Sequence, residues 1–212
     1  MIVEKINVVN IDGALRGMRN PMNSWNKSDS FVDENKNFVI GEADLGLAVK
    51  LIKAGSPHRK FMRQIFVTMD ITAPIFWWKE FDTYKIGTVA NSTSTMHKIH
   101  SKEIEIDDFE IDDIDSELEL ENLETVIDMC EGYRKKFVET GEKKYWKALI
   151  RLLPESYLQT RTVTMNFENL LGIIKWRTGH KLTEWHKFID RVREGVMYAD
   201  QLIFPFIDSA DK

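Results

Sequence analysis

The sequence predicts a soluble protein of the α/β (α+β) class, on three observations. Ile65, Val67, Met69 and Ile71 alternate strictly within RQIFVTMDIT, which marks a half-buried strand facing Gln64, Thr68 and Asp70 outward. Several other segments repeat apolar residues at helical spacing. Hydrophobic residues make up 43% of 212 and aromatics 11%, enough to bury the core of one domain spanning 1–212.

The opening KINVVNI is rich in β-branched residues and reads as a strand. From Asp12 to Asn37 the chain is polar and rich in Gly, Asn and Ser, so a long loop is expected. RGMRNPMNSW gathers Arg16, Arg19, Asn20 and Trp25 within it, suited either to a lid over an anionic, planar ligand or to packing on a neighbouring subunit. Leu45, Ala48, Leu51 and Ile52 predict a helix over Glu42–Ala54, stopped by Gly55 and Pro57. After the strand, Pro74 sits where a helix can begin, and IFWWKEFDTYK follows. Neighbouring Trp77 and Trp78 must point in different directions, so at most one can stack on a ligand, and core or interface packing serves as well.

HSKEIEIDDFEIDDIDSELELE alternates apolar and acidic residues and reads as an acidic insertion at 101–117 with a solvated edge. Helices are expected from Leu123 to Val138 and from Tyr145 to Leu153. YLQTRTVTMN predicts a strand, with Asn166 placed to cap a helix carrying Leu170, Leu171, Ile173, Ile174 and Trp176. Trp185, Phe188, Ile189, Val192, Val196 and Ala199 line one face of the final helix.

A net charge of −5 and pI near 5.6 give no basic footprint for nucleic acid, though a small nucleotide is compatible. The single Cys130 cannot form an intrachain disulfide, and no Cys/His group has metal-ligand spacing. A reducing, cytoplasmic setting is the expectation, with no membrane association because no apolar run approaches the ~18 residues a span needs. Thr88, Ser92 and Ser94 lack a nearby His and acid in triad order, which disfavours serine-hydrolase chemistry.

Two segments carry a family resemblance. VTMDITAPIFWWKEFDTYKIGTVANSTST and LLPESYLQTRTVTMNFENLLGIIKWR together resemble the flavin-dependent thymidylate synthases (thymidylate synthase complementing proteins) across roughly residues 40–195. The first matches the family's Ala-Pro-Ile-Phe helix start before its Arg-His-Arg-x7-Ser motif, and the second its Leu-Pro, strand, Thr-x-Asn-x-Arg and helix order. The resemblance implies a mixed sheet flanked by helices, a homotetramer with sites between subunits, and reductive methylation of dUMP to dTMP. FAD would be the cofactor, with methylene-tetrahydrofolate and NADPH as co-substrates and a pyrimidine deoxynucleotide as ligand.

The motif is degraded. Thr83, Tyr84 and Lys85 occupy the Arg-His-Arg positions, so only Lys85 keeps a cation. Asn91, Ser92, Ser94 and Met96 take the following polar positions, Glu80 replaces a Gln, and Glu168 replaces the Arg of Thr-x-Asn-x-Arg. By the resemblance, Glu80, Lys85, Asn91, Ser94 and Arg177 are nucleotide-binding candidates, and His58, Thr83, Tyr84 and Asn166 are cofactor-binding candidates. His58 lies further from Ala73 than the family pattern sets it, and a helix-end histidine is the competing reading. Arg177 can clamp a carbonyl or phosphate with its planar fork or offset a helix dipole, and the family spacing favours the ligand. GTVANSTST beside Lys85 can bind phosphate oxygens or be a plain polar loop. Two other functions stay open: action on another pyrimidine nucleotide, with a carboxylate accepting from an exocyclic amine, and a catalytically silent binding or assembly protein.

Overall fold

The computed structural model describes residues 1–207, so positions 208–212 of the expected domain lie outside the described residues. The chain folds as two compact units, where length alone suggests one undivided domain. The larger unit takes residues 3–70, 84–90 and 163 onward; the smaller takes 1–2, 71–83 and 91–162.

Four strands form one sheet in the order β1-β4-β6-β5: β1 (Ile2–Val9), β4 (Phe66–Pro74), β5 (Thr88–Ser92) and β6 (Leu158–Asn166). A two-stranded antiparallel ribbon pairs β2 (Phe31–Val32) with β3 (Phe38–Val39). Thr68 and Thr164 share a hydroxyl hydrogen bond of 2.9 Å and Thr72 and Thr160 one of 2.7 Å. As β4 advances four residues its partner steps back four, so β4 and β6 run antiparallel. Ile65, Val67, Met69 and Ile71 are all fully buried, as their alternation requires. The α/β (α+β) class with a sheet flanked by helices is what the chain adopts.

In the larger unit, α1 (Ile11–Arg19) replaces the first part of the loop expected from Asp12 to Asn37. Ile11, Ala14, Leu15 and Met18 bury one face at three- and four-residue spacing, which outweighs the helix-weakening Gly13 and Gly17. The following polar stretch is tied to α2 (Glu42–Lys53) by Asp44, which is wholly buried. Its carboxylate takes Arg19 Nε at 2.5 Å, the hydroxyls of Ser28 and Ser30 at 2.6 Å each, and the Ser30 N–H at 3.1 Å. Helices α7 (Phe167–Arg177), α8 (Thr183–Gly195) and α9 (Ala199–Leu202) complete this unit. Phe167, Leu170, Ile174, Trp185, Phe188 and Val192 form their buried faces.

In the smaller unit, α3 (Ile75–Phe81) starts one residue after Pro74, which is its N-cap and still closes β4. After the short α4 (Thr95–Lys98), the acidic segment differs from the solvated edge its alternation predicts. A 3-10 turn at Ile106–Asp108 closes by reciprocal bonds between Glu105 and Asp108, and turns Ile104 and Phe109 into the core beside Ile127, Cys130 and Leu149. That core packs α5 (Glu117–Thr140) against α6 (Lys143–Leu152). Ser116 caps the start of α5 on Glu119 N–H, and Gly141 ends it in the left-handed region at φ 69°.

Candidate functional site

Helix α7 organises the larger unit's candidate site because Asn166 fixes its start. The Asn166 side chain accepts the Asn169 N–H at 2.9 Å, as its cap position predicts. Asn169 reaches on and donates from Nδ2 to the Ile86 carbonyl at 2.7 Å. Gly87 lies against this pair at φ +75°, where a methyl group would come 2.6 Å from Asn169 Oδ1 and 3.2 Å from Asn166 Nδ2. Only glycine fits both the backbone and the space. Asn169 Oδ1 and Thr88 Oγ1 are buried without a hydrogen-bond partner. Each is a buried oxygen able to accept an N–H or O–H hydrogen bond.

At the other end of α7, Arg177 donates from Nε to the Tyr84 hydroxyl at 2.8 Å. Its guanidinium carbon sits 4.8 Å from the Trp185 ring centroid and 5.4 Å from that of Tyr84. Trp185 is fully buried, so the planar cation rests on a fixed aromatic floor. Tyr84 and Arg177, expected in separate ligand-binding roles, are thus direct partners. Lys85 is exposed on the strand side of Tyr84.

Near the start of α7, Glu168 gathers three donors: Arg59 Nε at 3.0 Å, Ser56 Oγ at 2.9 Å, and Arg63 Nε. Burial alone raises the Glu168 pKa, but the bonds from Arg63, Arg59 and Ser56 outweigh it and hold the carboxyl below its ordinary range. His58 heads the 3-10 helix Arg59–Gln64, the helix-end position weighed against flavin contact. It also lines a cavity of about 540 Å3, in the range of small-ligand sites, with Met18, Leu51, Lys60, Phe61 and Gln64.

The smaller unit holds the remaining candidates. Thr83 is exposed and its hydroxyl donates to the Glu80 carbonyl at 2.8 Å, closing the end of α3. Ser94 is the N-cap of α4 and accepts the His97 N–H at 3.0 Å, so its hydroxyl oxygen carries a local structural bond. Asn91 is exposed on β5. The GTVANSTST run is strand followed by a capped turn. Trp77 and Trp78 are both fully buried, edge-on at 4.9 Å, and Trp78 Nε1 donates to the Gln159 carbonyl at 2.9 Å. Core packing accounts for the pair.

Ser56, Arg59, Arg63 and Asn169 were not singled out by sequence. Arg59 and Arg63 do stand four apart in HRKFMRQ, and Asn169 follows Asn166 at capping distance, which are the signals available. Among the described residues no group of His, Cys, Asp or Glu is placed to hold a metal, and no helix is long and apolar enough to cross a membrane.

No protein-family description matches the chain, and no curated protein matches it in sequence. Solved structures do match in shape. Thymidylate synthase X from Helicobacter pylori, crystallised with FAD and dUMP, superposes with a TM-score of 0.74 over 98% of this chain and 99% of that one, at 15% identity. A second crystal structure of the Helicobacter pylori enzyme, described as flavin-dependent thymidylate synthase ThyX complexed with FAD and dUMP, gives 0.71 over 97% and 99% at 16% identity. From end to end, this chain has the fold of a flavin-dependent thymidylate synthase.

Proposed function

We propose that the chain is a divergent nucleotide-binding enzyme on this fold, with reductive methylation of dUMP to dTMP as its inherited activity. The observation that carries the reading is likeness over 97–98% of the chain to two structures holding FAD and dUMP, and the sequence resemblance places Asn166 and Arg177 among the ligand-binding candidates on β6 and α7.

The residues present fit a flavin nucleotide. The buried acceptors Asn169 Oδ1 and Thr88 Oγ1 suit an imide or hydroxyl donor, and Arg59, Arg63 and Lys85 supply cations for phosphate. When bound, reduced flavin would supply the reducing equivalents and the folate the one-carbon unit. The chain's own residues bind and orient. Tyr84 and Trp185 hold the Arg177 fork in one plane, so a carbonyl or phosphate meets a cation already positioned. Exposed Ile86, Val89 and Trp176, at 90%, 67% and 75%, are apolar side chains a subunit contact would cover, which supports a homotetramer. A reducing, cytoplasmic setting suits a chain whose only thiol is buried.

The test is the flavin absorbance of the purified protein together with dUMP-dependent release of tritium from C5. FAD that copurifies and a labilised C5 proton are expected. A colourless protein that takes up no FAD and leaves the C5 proton in place overturns the reading in favour of a silent scaffold.

A second reading is action on another pyrimidine, recognised through a carboxylate at Glu80 or Glu168. Glu168 now counts against it, since both its oxygens are occupied by Arg59, Arg63 and Ser56. A larger thermal shift with dCMP than with dUMP would favour it all the same.

A further inference from the structure

We propose that Arg59 and Arg63, held in place by Glu168, form a phosphate clamp, which replaces a cation on α7 with two cations on the neighbouring 3-10 helix. The proposal rests on the nucleotide-binding reading and assigns the group that recognises the ligand's phosphate.

Glu168 stands where the resembled family has an arginine, so a direct reading of the sequence removes positive charge from α7. The structure returns it from another element. Arg59 uses only Nε on Glu168, which leaves both of its terminal nitrogens uncommitted. Arg63 uses Nε on Glu168 and Nη2 on the Ser56 hydroxyl at 2.9 Å, leaving Nη1. Two guanidinium groups fixed by one carboxylate carry a net positive charge and present three terminal nitrogens. A phosphate oxygen set takes such an array in parallel bonds.

The placement also suits an anion. Glu168 lies in the first turn of α7, so backbone N–H groups add positive potential beside the guanidiniums. Arg59 is 28% exposed and Arg63 51%, open enough to be reached and anchored enough to be preorganised. Pro57, His58, Lys60, Phe61 and Gln64, interleaved with the clamp residues in sequence, line the 540 Å3 cavity. Ser56, Arg59, Arg63 and Glu168 are not among its lining residues, so the clamp is a separate surface feature of the same segment.

The phosphate could be the diphosphate of FAD or the monophosphate of dUMP. Calorimetric titration of wild type with FAD, riboflavin, dUMP, deoxyuridine and inorganic pyrophosphate separates them. The same titrations use Arg59→Gln/Arg63→Gln/Glu168→Gln, which removes both cations together with the carboxylate between them and strands no carboxylate. Its denaturation midpoint, with that of Glu168→Gln alone, shows that the fold is intact. The clamp predicts a fall of about tenfold to a hundredfold for the phosphate-bearing ligand, steeper weakening by salt in wild type than in the variant, and unchanged riboflavin or deoxyuridine binding. Loss for FAD alone assigns the cofactor, and loss for dUMP alone the substrate. Pyrophosphate binding that depends on the clamp, with neither FAD nor dUMP bound, keeps the clamp and removes the nucleotide reading. Wild-type affinity of the folded triple variant for every phosphate ligand, or no phosphate binding by either protein, overturns the clamp.

Discussion

Asp44 has no exposure to solvent yet stays ionised, because four donors outweigh the burial that would otherwise favour its neutral form. Its carboxyl is held below the ordinary value in the folded state. The stabilisation is therefore fully present above the unfolded pKa of about 3.9 and is lost as pH falls through the lower folded value. Urea midpoints should hold from neutrality to about pH 5 and drop below about pH 4, and Asp44→Asn should flatten that drop. Asp44→Ala strands the Arg19 guanidinium in the interior and should cost about 3–5 kcal/mol. Burial likewise pushes the Cys130 thiol up to about 11. A thiol reagent at pH 8 should leave the native protein nearly untouched and react at once in denaturant.

At the scale of elements, α7 carries the clearest expectation. Asn166→Ala removes the bond to Asn169 and should lower stability by about 1 kcal/mol, read from chemical denaturation without ligand. This cap was legible because an Asn between a β-branched run and an apolar helix has one common use. So was β4, whose two-residue period cannot arise from a helix. Helix α1 was not, since Gly13, Gly17 and the Asn-Pro pair at 20–21 read as loop while its four buried apolar residues hold the helix. The acidic segment misled in the opposite way. Strict alternation suggested a ribbon, but a turn closed by Glu105 and Asp108 re-aims Ile104 and Phe109 inward. Period says which side chains share a face only while the backbone stays regular.

At the scale of the molecule, the candidate site's geometry was legible where partners lie close in sequence, as with Asn166 and Asn169. The tie from Glu168 to Ser56, Arg59 and Arg63 spans 105 or more residues, and nothing local in FEN or HRKFMRQ announces it. Charge that vanishes from one motif can return from an element that no motif describes. The exposed apolar side chains yield one more expectation. Under the proposed self-association, Ile86→Asp should give a smaller mass than the wild type in size-exclusion chromatography with light scattering, while leaving the far-ultraviolet circular dichroism unchanged. An unchanged mass would mean that Ile86 lies outside any subunit contact.

The six tryptophans give this chain an optical division of labour. Trp77, Trp78 and Trp185 are shut away from water, whereas Trp25 and Trp176 are half or more exposed. Acrylamide should strip a red-edge emission from the exposed pair and leave a bluer, quench-resistant remainder. Because Trp185 is the floor beneath Arg177, that remainder contains an indole with a guanidinium on its face. Arg177→Ala should change this protected emission even with no ligand present, a spectral fingerprint written by the same contact that fixes the arginine's plane.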